Sequence, residues 1–431
     1  MIYLNYLYFL ILTYFELKYL KSKGREFQSP LDNDQRLWFS GPEVFWVILF
    51  STGVIALSGP GIVDLMALRL LFLEILCLVA IMQPGEKVYF SAPIGLYAIY
   101  LIWILIGCLY SPSPGYGFRV FLKYSYPLLI ALTASAIVRN IEVMLVAGIW
   151  ARRISLLSIL FMFVPYINRA VPGFFWYGTA LAVNYISMVI FSVTLFFFTN
   201  EKRKNFIYAI IFMIPCFIWV FRTSIMGTGV ALMALSIFRY KIRSLPIIIG
   251  IFVVGIIAVF TIPSLRSKMF NESDNVSIEQ FQQGKISQDN INSNARYAMW
   301  EKLEERFYKG NELTGSGTGA IQNYMYNNFV FGGLRVPHSD YVQLCCDNGE
   351  IGFWLYICAL LGVVVHCFII YWNNQNSNVR LAAMVAGSSL VGVMATLYSD
   401  NVVNYSMATL SMPFGFYGMM LGMLRKQKEQ L

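Results

Sequence analysis

The sequence predicts an all-α polytopic membrane protein with about 12 to 13 spans, and three observations predict it. Of 431 residues only 13% are charged and 58% are hydrophobic, with a mean hydropathy of +0.60, whereas a soluble domain carries about 25% charged residues. Apolar runs of roughly 20 residues, the length that crosses a hydrocarbon core, recur along most of the chain. Lys and Arg gather in the short connections between them, which is where they mark the cytoplasmic side.

The expected spans fall at about 2–17, 43–62, 65–82, 88–110, 118–138, 143–164, 178–199, 205–221, 224–238, 245–262, 350–371, 380–399 and 404–424. The first run lacks a basic leader and a small-residue cleavage site, so it reads as a retained span. Basic clusters stand at Lys18, Lys21, Lys23 and Arg25, at Lys202, Arg203 and Lys204, at Arg239, Lys241 and Arg243, and at Arg425, Lys426 and Lys428. Threading the spans puts all of them on one side, the cytoplasmic side by the charge rule. The chain then divides into an N-terminal bundle, 1–262, an extracytoplasmic loop, 263–349, and C-terminal spans, 350–431. The net charge of +9 is mostly this topology signal. A nucleic-acid partner is not expected, because no basic domain exists to hold one.

Arg152 and Arg153 interrupt the sixth run. Either that span starts later, behind a cytoplasmic amphipathic segment, which is the reading favoured here, or the two arginines face a polar cavity. Arg69, Glu74, Arg119 and Asp400 are further charged groups within or at the ends of spans.

The loop is the only long polar stretch. Asn290 to Asn294 reads as a turn and cap, and Arg296, Trp300, Leu303 and Phe307 recur at helical spacing, predicting an amphipathic helix over about 295–308. Gly315-Ser316-Gly317-Thr318-Gly319 has no Lys-Ser/Thr behind it and is no nucleotide phosphate loop. It is either an ordinary glycine turn, the weightier reading, or a nest of amides that holds an anion. The seven cysteines lack metal-ligand spacing, and most sit in apolar runs where cysteine acts as a small hydrophobe. No zinc, dinucleotide or hydrolase-elbow motif is present, so neither metal nor cofactor is expected.

Chemistry therefore rests on few residues. Of two histidines, His366 lies inside an apolar run, while His338 closes the polar loop, and a neutral imidazole is suited to taking a proton near neutral pH. Arg222 at a span junction, Arg296 at the start of the loop helix and Arg335 beside His338 fall on the same outer side. Their planar forks match phosphate oxygens. The structural alternatives are a headgroup anchor for Arg222, a solvated helix face for Arg296 and a satisfied loop histidine for His338. Asp340 either orients the imidazole, binds sugar hydroxyls or caps a turn. Tyr341 and Trp354 are interface anchors or sugar platforms.

Three blocks, Phe221-Arg222-Thr223-Ser224-Ile225-Met226-Gly227, Asn294-Ala295-Arg296-Tyr297-Ala298-Met299-Trp300, and Pro337-His338-Ser339-Asp340-Tyr341 followed by Asp347-Asn348-Gly349-Glu350-Ile351-Gly352, carry a resemblance. In this order around one external loop they resemble the bacterial O-antigen polymerase and O-antigen ligase superfamily of polytopic glycosyltransferases. The resemblance implies a GT-C-like fold in the cytoplasmic membrane and a donor of undecaprenyl-diphosphate-linked glycan, with no nucleotide sugar and no metal. Arg222 and Arg296 would then bind the diphosphate, and His338 would activate the acceptor hydroxyl in an inverting displacement. Arg335, which matches no named position of the family's motifs, would support either role, Asp340 and Tyr341 are further candidate substrate-binding residues, and the expected partners are the lipid bilayer and a chain-length regulator protein. Polymerisation of repeat units is the expected activity. A ligase acting on lipid A core or another surface acceptor is one alternative; a flippase, which predicts ionisable groups near the midplane and broken helices, is another. Glycoside hydrolysis is disfavoured, because no pair of carboxylates stands out.

Overall fold

Every expected span contains a helix, and the last two helices are among the most deeply buried. The computed structural model describes residues 2–430 except 33, 59–64, 165, 167–171, 271–295, 329–330 and 332–333. Helix α1 covers Ile2–Leu20, and an antiparallel hairpin of β1, Arg25–Gln28, and β2, Arg36–Phe39, follows it. Then come α2 Gly41–Ser51, α3 Leu65–Ile81, α4 Ala92–Leu109, α5 Pro114–Ile137, α6 Ile141–Phe163, α7 Thr179–Phe198, α8 Lys202–Ile218, α9 Arg222–Tyr240 and α10 Leu245–Thr261. The loop holds α11 Pro263–Met269, α12 Arg296–Phe307 and α13 Ala320–Asn328; α14 Asp340–Asn373, α15 Ser377–Leu397 and α16 Ser411–Glu429 complete the chain. Among the described residues seven helical runs are long and apolar enough to cross a membrane, with Arg222–Thr261 counted as one. The small hairpin aside, this is an all-α polytopic membrane protein.

The basic clusters share one end of the bundle. Lys241 Nζ sits 3.9 Å above the Trp372 ring, Lys426 donates to Asn140 Oδ1, and Arg139 pairs with Glu86 at 2.8 Å. The polar loop lies at the other end.

Helices α15 and α16 form the centre, and small residues let neighbours approach them closely. A Cβ added at Gly418 would lie 2.2 Å from Ala131 O of α5, and one at Gly422 would lie 2.0 Å from Val138 O. The crossing of α9 with α15 is equally tight. A Cβ at Gly227 would meet Thr396 Cγ2 at 2.6 Å and Gly392 O at 2.9 Å. That crossing lies little more than one turn from Arg222 along α9, so it sets the start of α9 against the end of α15. Helix α10, by contrast, buries no residue and packs chiefly on its chain neighbours α9 and α11.

Two expectations about spans are corrected. The run 43–62 is helical only to Ser51. Arg69, buried on α3, donates to the carbonyls of Thr52, at 3.0 Å, and Ile55, satisfying acceptors that a continued helix would have used. Glu16, also buried, lies near it. Beyond the break the chain runs extended beside 173–176, with Ala56 N donating to Phe174 O at 2.8 Å and Ser58 N to Gly173 O at 2.7 Å. The second correction concerns α6, which does not start late but is continuous from Ile141. Arg152 is buried on it, donates to Asn205 Oδ1 at 2.8 Å and stacks 4.0 Å over Tyr208. Both partners belong to the start of α8, so the charge is met at the basic end by side chains rather than by a cavity.

Candidate active site

Four elements meet at the loop end around the short connection that follows α15. Arg222 opens α9 after a tight turn in which Val220 adopts a left-handed φ of 50°. Its guanidinium donates to Lys268 O at the end of α11. The neighbouring Thr223 Oγ1 accepts from Ser399 Oγ at 3.2 Å. Arg296 opens α12, whose apolar face buries Met299, Trp300 and Leu303, the spacing expected of an amphipathic helix. Trp300 Nε1 donates to Pro337 O at 2.6 Å, and its ring meets Tyr398 edge-on at 5.7 Å. Pinned there, Arg296 Nη1 donates to Ser399 O at 2.5 Å.

Arg296 and Thr223, the neighbour of Arg222, thus reach the same residue from different helices. The two guanidiniums are near enough for the charge of Arg296 to act on Arg222. Burial lowers the pKa of Arg296, and the carboxylate of Asp400 opposes that shift; a guanidinium stays charged at any physiological pH.

His338 adopts a left-handed φ of 53°, which is costly for a residue with a side chain. The surroundings impose it: His338 N donates to Asn401 Oδ1 at 2.5 Å. Its Nδ1 faces Asp400 Oδ1 at 3.8 Å, with the imidazole 28% exposed and the carboxylate 6% exposed. That separation exceeds a hydrogen bond. Asp400 Oδ1 also accepts from Asn401 N at 2.8 Å.

Asp340 does not face the imidazole. It is buried, its carboxylate accepts from Val403 N at 3.1 Å and Asn401 Nδ2 at 3.4 Å, and its own N–H donates to Asp400 O at 3.2 Å. These bonds brace residues 400–403. Tyr341 O–H donates to Met394 O at 2.9 Å, joining α14 to α15. Arg335 is exposed and lies 4.8 Å over the Tyr326 ring of α13. The structure therefore brings Arg296 and His338 to one segment, with Arg222 beside it through Thr223, Asp340 beneath it and Arg335 on a different element.

The glycine run packs against a carboxyl group of the chain itself. Asp347 accepts from Gly319 N and Ile321 N, each at 3.0 Å, at the start of α13, and Gly317 N donates to Asp347 O at 2.9 Å. Thr318 ties the same run to α4 through Ile104 O at 2.9 Å. Gly349, with φ of +65°, breaks α14 where a Cβ would come within 2.3 Å of Leu313 O. The closing signature is thus a clamp that fixes the loop on the bundle and sets His338 in place. The expected turn and cap at 290–294, with Asn294 and Ala295 of the second block, lies outside the described residues.

Sequence reasoning missed Ser399 and Asn401 and ranked Asp400 low. The available signal was the polar run Ser399-Asp400-Asn401 between two spans that are otherwise apolar.

Residues 207–357 match the family model described as O-Antigen ligase. The matched range holds Arg222, Arg296, Arg335, His338, Asp340 and Tyr341 and stops before Asp400. No curated protein gives a significant match to the chain.

Proposed function

We propose, on the premise that the matched segment puts this chain in the O-antigen ligase and polymerase superfamily, that it polymerises undecaprenyl-diphosphate-linked oligosaccharide repeats at the outer face of the cytoplasmic membrane. The observation that carries this reading is the meeting of Arg296, His338 and Thr223, which adjoins Arg222, on Ser399–Asn401, with the two guanidiniums near enough to repel. Two half-buried guanidiniums that repel each other are a poor way to stabilise a fold, and a good way to hold a diphosphate that bridges them. In this reading the helical parts 1–262 and 350–431 form the frame, and the loop 263–349 delivers Arg296 and His338 to it.

The acceptor hydroxyl gives its proton to His338 Nε2 while its oxygen bonds to the anomeric carbon from the face opposite the leaving group. The bond from that carbon to the phosphate oxygen breaks, the electron pair leaves with undecaprenyl diphosphate, and the configuration inverts. Arg222 and Arg296 stabilise the charge on the departing oxygens; loss of one such donor in other enzymes costs about 3 to 4 kcal/mol. General-base help is worth roughly 100- to 10,000-fold. Asp400 stabilises the imidazolium that forms, as a buried carboxylate does for a catalytic histidine elsewhere.

Purified protein in lipid, given lipid-linked repeats, should yield longer chains and one free lipid diphosphate per bond made. A ligase would leave those repeats unextended and transfer them only when lipid A core or another surface acceptor is added. A flippase would move them across a vesicle membrane without extending them. Buried Arg69 and the interrupted α2 are features that the flippase reading asks for, but capping of the α2 carbonyls already accounts for both.

A further inference from the structure

Between α3, α6 and α7, on the loop-end side of the α2 break, lies a cavity of about 580 Å³, within the range of small-ligand sites. Its walls are not those of a lipid groove. Phe161, Phe175, Trp176, Tyr177 and Tyr405 present aromatic surfaces, and hydroxyl-bearing Ser58 stands among them; Ser158 lines the cavity too, but its buried hydroxyl is held by Ser155 O and the Tyr185 hydroxyl. Extended backbone at 54–58 and 173–176 closes one side, tied by the bonds from Ala56 and Ser58 and by Asn5 Nδ2, which donates to Ser58 O at 2.8 Å and Pro172 O at 2.9 Å. Non-helical backbone inside a membrane bundle survives where protein satisfies it or where it lines a polar space. Trp176 is fixed by Nε1–H to Gly53 O at 3.1 Å.

The cavity shares the segment 399–405 with the candidate active site, and Tyr405 on its wall is near enough to Asp400 for that charge to act on it. Ser399 receives Arg296 and contacts Thr223, Asp400 faces His338, and Tyr405 meets the Trp176 ring at 5.4 Å on the cavity wall. The cavity therefore neighbours the base, His338, by way of Asp400, and an acceptor sugar has to be held beside the base that deprotonates it. Aromatic faces interspersed with hydroxyls suit a pyranose, whose C–H face stacks on a ring while its hydroxyls reach polar neighbours; a prenyl chain has no use for the polar part.

We propose that this cavity is the acceptor subsite and that it binds a sugar of the acceptor glycan. The proposal rests on the transferase reading above. Its test uses the intact protein in lipid nanodiscs and, as probe, the repeat oligosaccharide released by mild acid from the host's lipid-linked pool, with binding followed by saturation-transfer NMR. Met162→Trp fills the cavity from the α6 side, and Tyr177→Ala removes an exposed aromatic wall. Each should weaken oligosaccharide binding about tenfold or more while leaving binding of undecaprenyl diphosphate unchanged, which also shows the variants to be folded; Met162→Leu should behave as wild type. Undiminished oligosaccharide binding in both variants, no oligosaccharide binding by the wild type, or its displacement by undecaprenyl phosphate would each overturn the subsite. The two ideas fail separately. A wild type that binds oligosaccharide through this wall yet extends no lipid-linked chains refutes the transferase reading and leaves the sugar subsite standing.

Discussion

Replacing Gly227 by Ala tests whether the arginines are positioned by helix packing. The added methyl would lie 2.6 Å from Thr396 Cγ2, 2.7 Å from Ile186 Cδ1 and 2.9 Å from Gly392 O. Carbon atoms settle at about 3.5 to 4.0 Å, so α9 must move away from α15 by roughly 1 Å. Overpacking of this kind costs about 1 to 3 kcal/mol of stability, which a bundle of this size tolerates. The catalytic cost is larger, because Arg222 rides on α9 while Ser399, which Arg296 and Thr223 engage, follows α15. A displacement of about 1 Å in a reacting constellation costs roughly 100-fold in rate. Turnover is read from lipid diphosphate released per minute during chain extension by purified protein. Gly229→Ala on the same helix is the control, since its methyl would meet only Ile251 Cγ2, at 3.9 Å. Equal turnover in the two variants would refute positioning by the α9–α15 crossing.

Asp400→Asn keeps the shape but removes the charge facing His338, so kcat should fall about 100-fold or more with donor affinity unchanged; titration of undecaprenyl diphosphate separates the two quantities. Arg222→Lys leaves a point charge in place of a fork, and the account expects normal membrane insertion with turnover reduced by roughly two orders of magnitude. Wild-type turnover there would make Arg222 a structural anchor. Asp347→Ala strands the buried amides of Gly319 and Ile321, at about 1 to 3 kcal/mol each, and should lower the thermal unfolding midpoint; an unshifted midpoint contradicts the clamp.

The spans were legible because apolar length and basic loops are local signals, and so was α12. Arg296, Trp300, Leu303 and Phe307 fix its period, and it forms over Arg296–Phe307 with Trp300 and Leu303 buried. The early end of α2 was not legible. Its run is as apolar as its neighbours, and the break depends on Arg69, which reaches back 14 and 17 residues to two carbonyls. Arg152 misled for the same reason, since its acceptor Asn205 lies 53 residues away. The candidate site was half visible. Its arginines and histidine stand out by type and by motif, but the segment that gathers them does not, because Ser399 lies 176 residues from Thr223 and 103 from Arg296, and Asn401 lies 63 from His338. Asp340 drew attention by standing two residues from His338, yet α14 points its carboxylate at Val403 N, and Asp400, far away in sequence, faces the imidazole.

The account stands on proton transfer at His338 beside a diphosphate held by two arginines. Its most direct test is turnover of His338→Ala on lipid-linked repeats, with undecaprenyl diphosphate binding measured on the same preparation. The account predicts binding near that of the wild type and chain extension slowed by about 100- to 10,000-fold; extension at the wild-type rate would contradict it.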